Sequence, residues 1–155
     1  KLEGARKIGC RTVSIAGARD PVMLQKIDEI IAGVRARVED NFRSAPFDYR
    51  LDFKVYGRDG VMGQLEPSPA VDGHEIGIVI DALADTQGHA DTICSFARST
   101  MLHYGYEGRR ATAGNLAFPY SPSDFHAGDV YAFSVYHLID VEDPCELFPV
   151  EYTTL

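Results

Sequence analysis

The segment HEIGIVIDALA, residues 74–84, decides the fold. From position 78 to 80 it is apolar at every residue, so neither face of a strand built from it can lie against water. That is how a strand inside a sheet reads, not one at an edge. Ile76, Ile78 and Ile80 share one face, and Gly77, Val79 and Asp81 share the other. Alternation alone leaves open which set meets the helices.

Upstream, residues 49–57 alternate cleanly, with Tyr49, Leu51, Phe53 and Val55 on one side and Arg50, Asp52 and Lys54 on the other. This predicts a half-buried edge strand. Residues 58–73 are crowded with glycine and proline in their second half and read as a long connection. Further upstream, Asp20-Pro21 is a helix start: an N-cap acceptor followed by proline, whose missing N–H costs nothing there. Leu24, Ile27, Ile31, Val34 and Val38 then form one apolar stripe of a helix ending near Phe42. RTVSIAG, residues 11–17, predicts the first strand. Downstream, Asp85 or Thr86 caps a second helix with Ala90, Ile93, Cys94, Ala97 and Met101 inside, stopping near Tyr104-Gly105. Gly128-Asp129 leads into a last strand at 130–141, and the tail from Glu142, with Pro144 and Pro149, is expected to lie across the surface.

The order β-α-β-β-α-β is the ferredoxin-like split βαβ sandwich of the α+β class. It has a four-stranded antiparallel sheet, two helices on one face, and here a long insertion before the last strand. Right-handed crossovers place strands one and three in the centre. In strand four Tyr131, Phe133, Val135 and Ile139 oppose Ala132, Ser134, Tyr136 and Leu138, so neither face is charged. The second sheet face is therefore expected to be covered by the 105–128 loop, another subunit or another domain. Self-association, by default two-fold, follows.

The chain has 155 residues, 45% of them hydrophobic, enough for one core. It begins with lysine, which reads as a fragment: residues 1–10 a linker remnant, and 11–155 a single domain from the C-terminal part of a longer parent. The net charge of −8 argues against nucleic acid and anionic membrane partners. No apolar run approaches the ~20 residues of a membrane span, and residues 1–9 hold no signal-peptide core. Cys10, Cys94 and Cys145 are widely spaced without a C-x-x-C pair, as in a cytoplasmic protein with reduced thiols, and Cys94 reads as an inert core thiol. The five histidines show no H-E-x-x-H or H-x-x-x-H spacing, so no metal is implied. Of these, His137 in the last strand either pairs with a neighbour or lines a pocket. Asp81, Asp85 and Asp91 read as cap and surface groups.

GRRATAGNLAFPYSPSDF, residues 108–125, is the candidate site. It carries too many apolar residues for a surface loop and too many prolines for a strand, so it predicts an ordered, packed loop. Leu116 and Phe118 are expected to be buried, and Asn115 and Asp124 to bind backbone groups. Arg98, Arg109 and Arg110 are the nearby cations. Paired arginines suit carboxylates or phosphates, but with 23 acidic residues present internal salt bridges are the favoured reading. Ser121 and Ser123 lie in no G-x-S-x-G elbow and read as turn or capping residues. Arg98, Arg109, Arg110, Asn115, Ser121, Ser123 and Asp124 form the candidate ligand-binding set of an alternative reading, an enzyme or binding domain for a carboxylate or acyl-CoA.

Residues 74–81, ADTQ at 84–87, CSFARST at 94–100, GNLAFPYSPSD at 114–124, residues 131–138 and the tail DP…ELFP at 143–149 together resemble the C-terminal region of the acyclic terpene utilisation protein A (AtuA-like) family. The resemblance runs over most of the chain from about Arg11. It implies a ferredoxin-like C-terminal domain that follows a larger N-terminal domain, its first partner. It also implies a link to bacterial breakdown of branched acyclic terpenoid acids through acyl-CoA intermediates. It supplies no catalytic residue to carry over, and the fold name implies no iron–sulfur cluster or other cofactor.

Overall fold

β3 (Ile76–Ala84) is the strand on which the sheet of the computed structural model is built. It pairs antiparallel with β1 (Leu2–Ala18), from Ala84 opposite Cys10 to Ile76 opposite Ala18. On its other side it pairs antiparallel with β2 (Tyr49–Tyr56). β4 (Asp124–His137) joins β1, giving a four-stranded sheet in the order β2-β3-β1-β4. The apolar run of β3 is thus central and the alternating β2 is at an edge. The structure describes residues 1–68 and 73–154; part of the expected 58–73 connection, positions 69–72, lies outside them. Within the described part of that connection, Gly63–Leu65 form one 3-10 turn.

The chain divides into two units, Ile8–Val130 and Lys1–Lys7 with Tyr131–Leu155. In the first, Ile76, Ile78 and Ile80 are the face that meets the helices. They join Ala18, Leu51 and Val55 of the sheet in one buried cluster with Ile27, Ile30, Val34 and Val38 and with Ile93, Cys94, Ala97 and Met101. Each isoleucine so buried contributes roughly 1.5–3 kcal/mol of transfer free energy.

The first helical segment begins as expected. The Asp20 carboxylate accepts from the N–H groups of Val22 at 2.7 Å and Met23 at 3.2 Å. It does not run unbroken to Phe42. α1 (Pro21–Gln25) ends at Lys26, whose N–H is shared between the carbonyls of Val22 and Met23, and α2 (Ile27–Asn41) follows. This step brings Met23 and Ile30 fully inside and leaves Ile31 half-buried. Thr86, not Asp85, caps α3 (Gln87–His103), accepting from the His89 N–H at 3.2 Å. Its five expected inward residues are all buried.

β1 and β4 differ most in extent from the sequence reading, and β3 starts at Ile76 rather than at His74. β1 starts at Leu2, not Arg11, because LEGARKIG owes its extended form to pairing with a neighbour, and its local propensity is weak. β4 spans Asp124–His137 where the sequence suggested 130–141, since Gly128, at φ +76, sits inside the strand instead of ahead of it. A left-handed glycine within a strand is the kind of irregular step other residues resist.

In the second unit, the start of β1 runs beside the end of β4. Gly4 lies against Val135, and the Lys1 ammonium sits 5.1 Å from the centre of the Tyr136 ring. Tyr131, Phe133 and Tyr136 are 61%, 79% and 67% exposed. Beyond His137 the described tail has only a turn, in which Asp143 accepts from the Cys145 N–H, and Leu147, Phe148, Val150 and Tyr152 stay exposed.

Candidate functional site

The connection from α3 to β4 is held from its own residues. Gly114, at φ +156, packs where a Cβ would come within 2.4 Å of Leu102 Cδ1, so the chain passes close over the end of α3. That places Asn115 to cap the helix. Its N–H donates to the Leu102 carbonyl at 2.8 Å, and its side-chain amide donates to the carbonyls of Met101 at 2.9 Å and Tyr104 at 2.8 Å. These are among the carbonyls a helix leaves without partners at its C-terminus. Arg109 Nε completes the amide by donating to Asn115 Oδ1 at 2.8 Å.

Two residues on, Ala117 and Gly17 exchange both backbone hydrogen bonds, at 2.8 and 2.9 Å, as an isolated antiparallel bridge. The hydroxyl of buried Ser14 donates to the Ser123 carbonyl at 2.9 Å. Arg98 Nε then pairs with Asp124 at 2.7 Å, with side chains only 22% and 23% exposed, while its guanidinium faces the Phe118 ring at 5.8 Å.

Four of the seven candidates from sequence thus fall into two internal pairs, Arg98 with Asp124 and Arg109 with Asn115. Asp124 binds a side chain where backbone groups were expected. Arg110 is exposed and has no ion-pair partner among the described residues. Ser121 is exposed, precedes a cis bond to Pro122, and like Ser123 has no side-chain hydrogen bond to a histidine among the described residues. Leu116 packs on the core but, like Phe118, is half-buried, because both sit at the edge of a cleft.

That cleft, about 900 Å³, has residues 114–119 as one wall and the ends of three strands as the other. The strand side comprises Ile15, Gly17 and Arg19, Tyr56, and Glu75 and Gly77 among others. Asn115 lines it, whereas Arg109 and Arg110 are not among its lining residues. The sequence signalled the loop wall through its composition. It signalled nothing on the strand side, whose residues meet only through register.

A second polar group was missed altogether. Thr12, fully buried, donates to Asp91 at 2.5 Å. Gln87 donates to both at 2.7 and 3.1 Å, and His126 Nε2 lies 3.0 Å from Asp91. Burial works to raise the Asp91 pKa, but the hydrogen bonds from Thr12 and Gln87 and the neighbouring His126 outweigh it and hold the carboxyl below the ordinary aspartate range. Asp91 is therefore a network member rather than a plain surface group. Asp81, too, is 8% exposed and paired with Arg11 at 2.8 Å. His126 and His89 pair with acids, His89 with Asp85 at 2.6 Å, whereas His137 is an exposed end residue of β4.

Cys94 fits its reading: burial, aided by the charge of Asp124, pushes its thiol up to about 12. No helix among the described residues is long and apolar enough to cross a membrane. No protein-family model, curated protein or solved structure matches the chain. Arg98, Asp124, Asp81 and Asp91 are thus held by partners inside the fold, while the cleft and the exposed apolar surface are open to another molecule.

Proposed function

We propose that the chain is an assembly and interaction domain: the ferredoxin-like C-terminal part of an AtuA-like protein, serving the catabolism of acyclic terpenoid or related branched acids. The strand order β2-β3-β1-β4, with a helical crossover after β1 and another after β3, is compatible with that topology. The single observation that carries the assembly role is the ribbon of Leu2–Lys7 and Tyr131–His137. A two-stranded ribbon is at best marginal in water, and this one exposes Tyr131, Phe133 and Val135 on one face and Tyr136 on the other. A second copy of the chain is the occupant that symmetry favours, since an isologous pairing covers both ribbons at once.

Sedimentation equilibrium at roughly tens of micromolar tests this, because standard two-fold interfaces hold at such concentrations. The expected result is a dimer or larger closed assembly, shifted toward monomer by Tyr131→Ser/Phe133→Ser with the far-ultraviolet spectrum retained. A monomeric wild type, or an unaltered assembly in the variant, overturns the reading. The catabolic link is tested separately. A parent protein lacking this segment is expected to lose both assembly and support of growth on acyclic terpenoids.

A further inference from the structure

The open face of the two central strands has a pattern that the fold does not need. On that face β1 and β3 pair Ile15 with Val79 and then Gly17 with Gly77. Immediately beyond the last ladder pair, Ala18 with Ile76, stand Arg19 and Glu75. Along about 14 Å of sheet, the surface therefore passes from apolar, through bare backbone, to one cation beside one anion.

Directly opposed glycines weaken a sheet, having no side chains to pack and losing the most freedom on ordering. Neither is required by backbone conformation, since both lie outside the positive-φ glycines. Neither is required by crowding. A Cβ on Gly17 would meet nothing closer than 3.9 Å, and one on Gly77 nothing closer than Tyr56 Cβ at 3.7 Å. Gly9 shows the contrast, because a Cβ there would stand 2.3 Å from the Ala84 carbonyl oxygen. The space over Gly17 and Gly77 is thus open, and it is the floor of the cleft that Tyr56 and residues 114–119 also line. Glycine inside a strand often marks a place where another backbone or a ligand approaches closely; Ala117 pairs along the edge of Gly17, and the face above both glycines stays free for a ligand.

The rim sets the class of that molecule. Arg19 and Glu75 both line the cleft, both are exposed, and neither forms an ion pair with another described residue. A ligand with a carboxylate and an ammonium on one carbon satisfies both charges, with no net-charge penalty beside either. Two residues of strand separate that rim from the glycine floor, about 7 Å, which suits a flat ring carried at the end of an amino-acid head group. The ring then lies on the peptide planes, beside Tyr56, which stands opposite Gly77 in the register.

We infer that this cleft is a binding site for an aromatic α-amino acid. The site goes beyond the assembly role and does not depend on it.

The test is isothermal titration calorimetry of the whole chain with L-phenylalanine, 3-phenylpropionate and phenethylamine. L-Phenylalanine is expected to bind saturably. The two analogues, each lacking one charge, are expected to bind at least about tenfold more weakly, or about 1.4 kcal/mol. Gly77→Val fills the floor and is expected to abolish binding while leaving the unfolding temperature unchanged or higher. Arg19→Gln, at an exposed position, is expected to keep the fold and weaken binding about tenfold. Absence of heat from L-phenylalanine at about 10 mM overturns the proposal. So does binding that survives Gly77→Val or Arg19→Gln, and so does equal binding of either analogue.

Discussion

Replacing Asn115 by alanine isolates the interaction that orders the loop. The substitution removes three side-chain hydrogen bonds, to the carbonyls of Met101 and Tyr104 and from Arg109 Nε. The losses are unequal. The Met101 carbonyl keeps the Tyr104 N–H at 3.3 Å, and half-buried Arg109 regains water, whereas the Tyr104 carbonyl loses its amide donor and has no other among the described residues. At roughly 1 kcal/mol net per bond, discounted for those two compensations, the expected cost is about 2 kcal/mol. For a chain of this length that lowers the melting temperature by roughly 4–8 °C. Urea unfolding followed by circular dichroism measures it, with the midpoint falling and the slope unchanged. Asn115→Asp keeps the acceptor for Arg109 but loses both donors and turns a carboxylate toward two carbonyls at the negative end of α3, so it is expected to be at least as damaging. Arg110→Ala, at an exposed site without an ion pair, is expected to stay within about 0.5 kcal/mol of wild type. An Asn115→Ala protein as stable as the parent, or an Arg110→Ala protein equally weakened, would refute the reasoning.

Gly9→Ala forces a Cβ to 2.3 Å from the Ala84 oxygen, where backbone must give way, and is expected to cost roughly 2–3 kcal/mol by urea titration, against near-neutrality for Gly17→Ala. Thiol labelling of the folded chain is expected to modify Cys145 alone and quickly, since Cys10 and Cys94 are buried and the Cys94 thiolate is scarce; rapid reaction of a second thiol contradicts the burial pattern. For Asp91 the folded pKa lies below the unfolded value of about 3.9, so its contribution is complete above that pH and is lost as pH falls through the folded value. The melting temperatures of wild type and Asp91→Asn are therefore expected to converge between about pH 5 and pH 2, and a gap that stays constant shows that the network does not depress this carboxyl.

The elements legible in the sequence are those whose signal is local. The stripe of α3 and the alternation of β2 each arise from one element facing one core, so periodicity reports them directly. The Asp20 cap is likewise a contact over two and three residues. What escaped depends on partners distant in sequence. LEGARKIG has no strand pattern of its own and is extended because β4 pairs with it. Asp91 looks like any exposed helix carboxylate until β1 brings Thr12 and β4 brings His126 to it. The candidate loop was recognised by composition; the favoured salt bridging of its arginines to internal acids holds for Arg98–Asp124, whereas Arg109 pairs with the neutral amide of Asn115 and Arg110 has no ion pair among the described residues. Its strand-side counterpart was invisible, because Gly17 and Gly77 acquire meaning only when register sets them opposite one another.

The ordering of the connection between α3 and β4 needs a cause beyond joining the two elements. A segment of that length without secondary structure bears a large conformational entropy cost, and long structureless loops in compact domains are usually functional or mobile. This one is fixed at separate points: by Asn115 to the end of α3, by Ala117 to Gly17, by the Ser123 carbonyl to Ser14, and by Asp124 to Arg98. Two of these anchors use β1 in different ways. Ser14 turns inward, and a hydroxyl buried there would be unsatisfied without the loop, while Gly17 offers its backbone at the strand end. Connection alone would be served by a short turn. What the fixed path adds is one wall, residues 114–119, of the cleft whose other side holds glycines that leave the sheet bare. The cost of fixing the loop is offset in part by these anchors, whereas the bare floor of Gly17 and Gly77 has no such internal compensation, and a bound ligand supplies one.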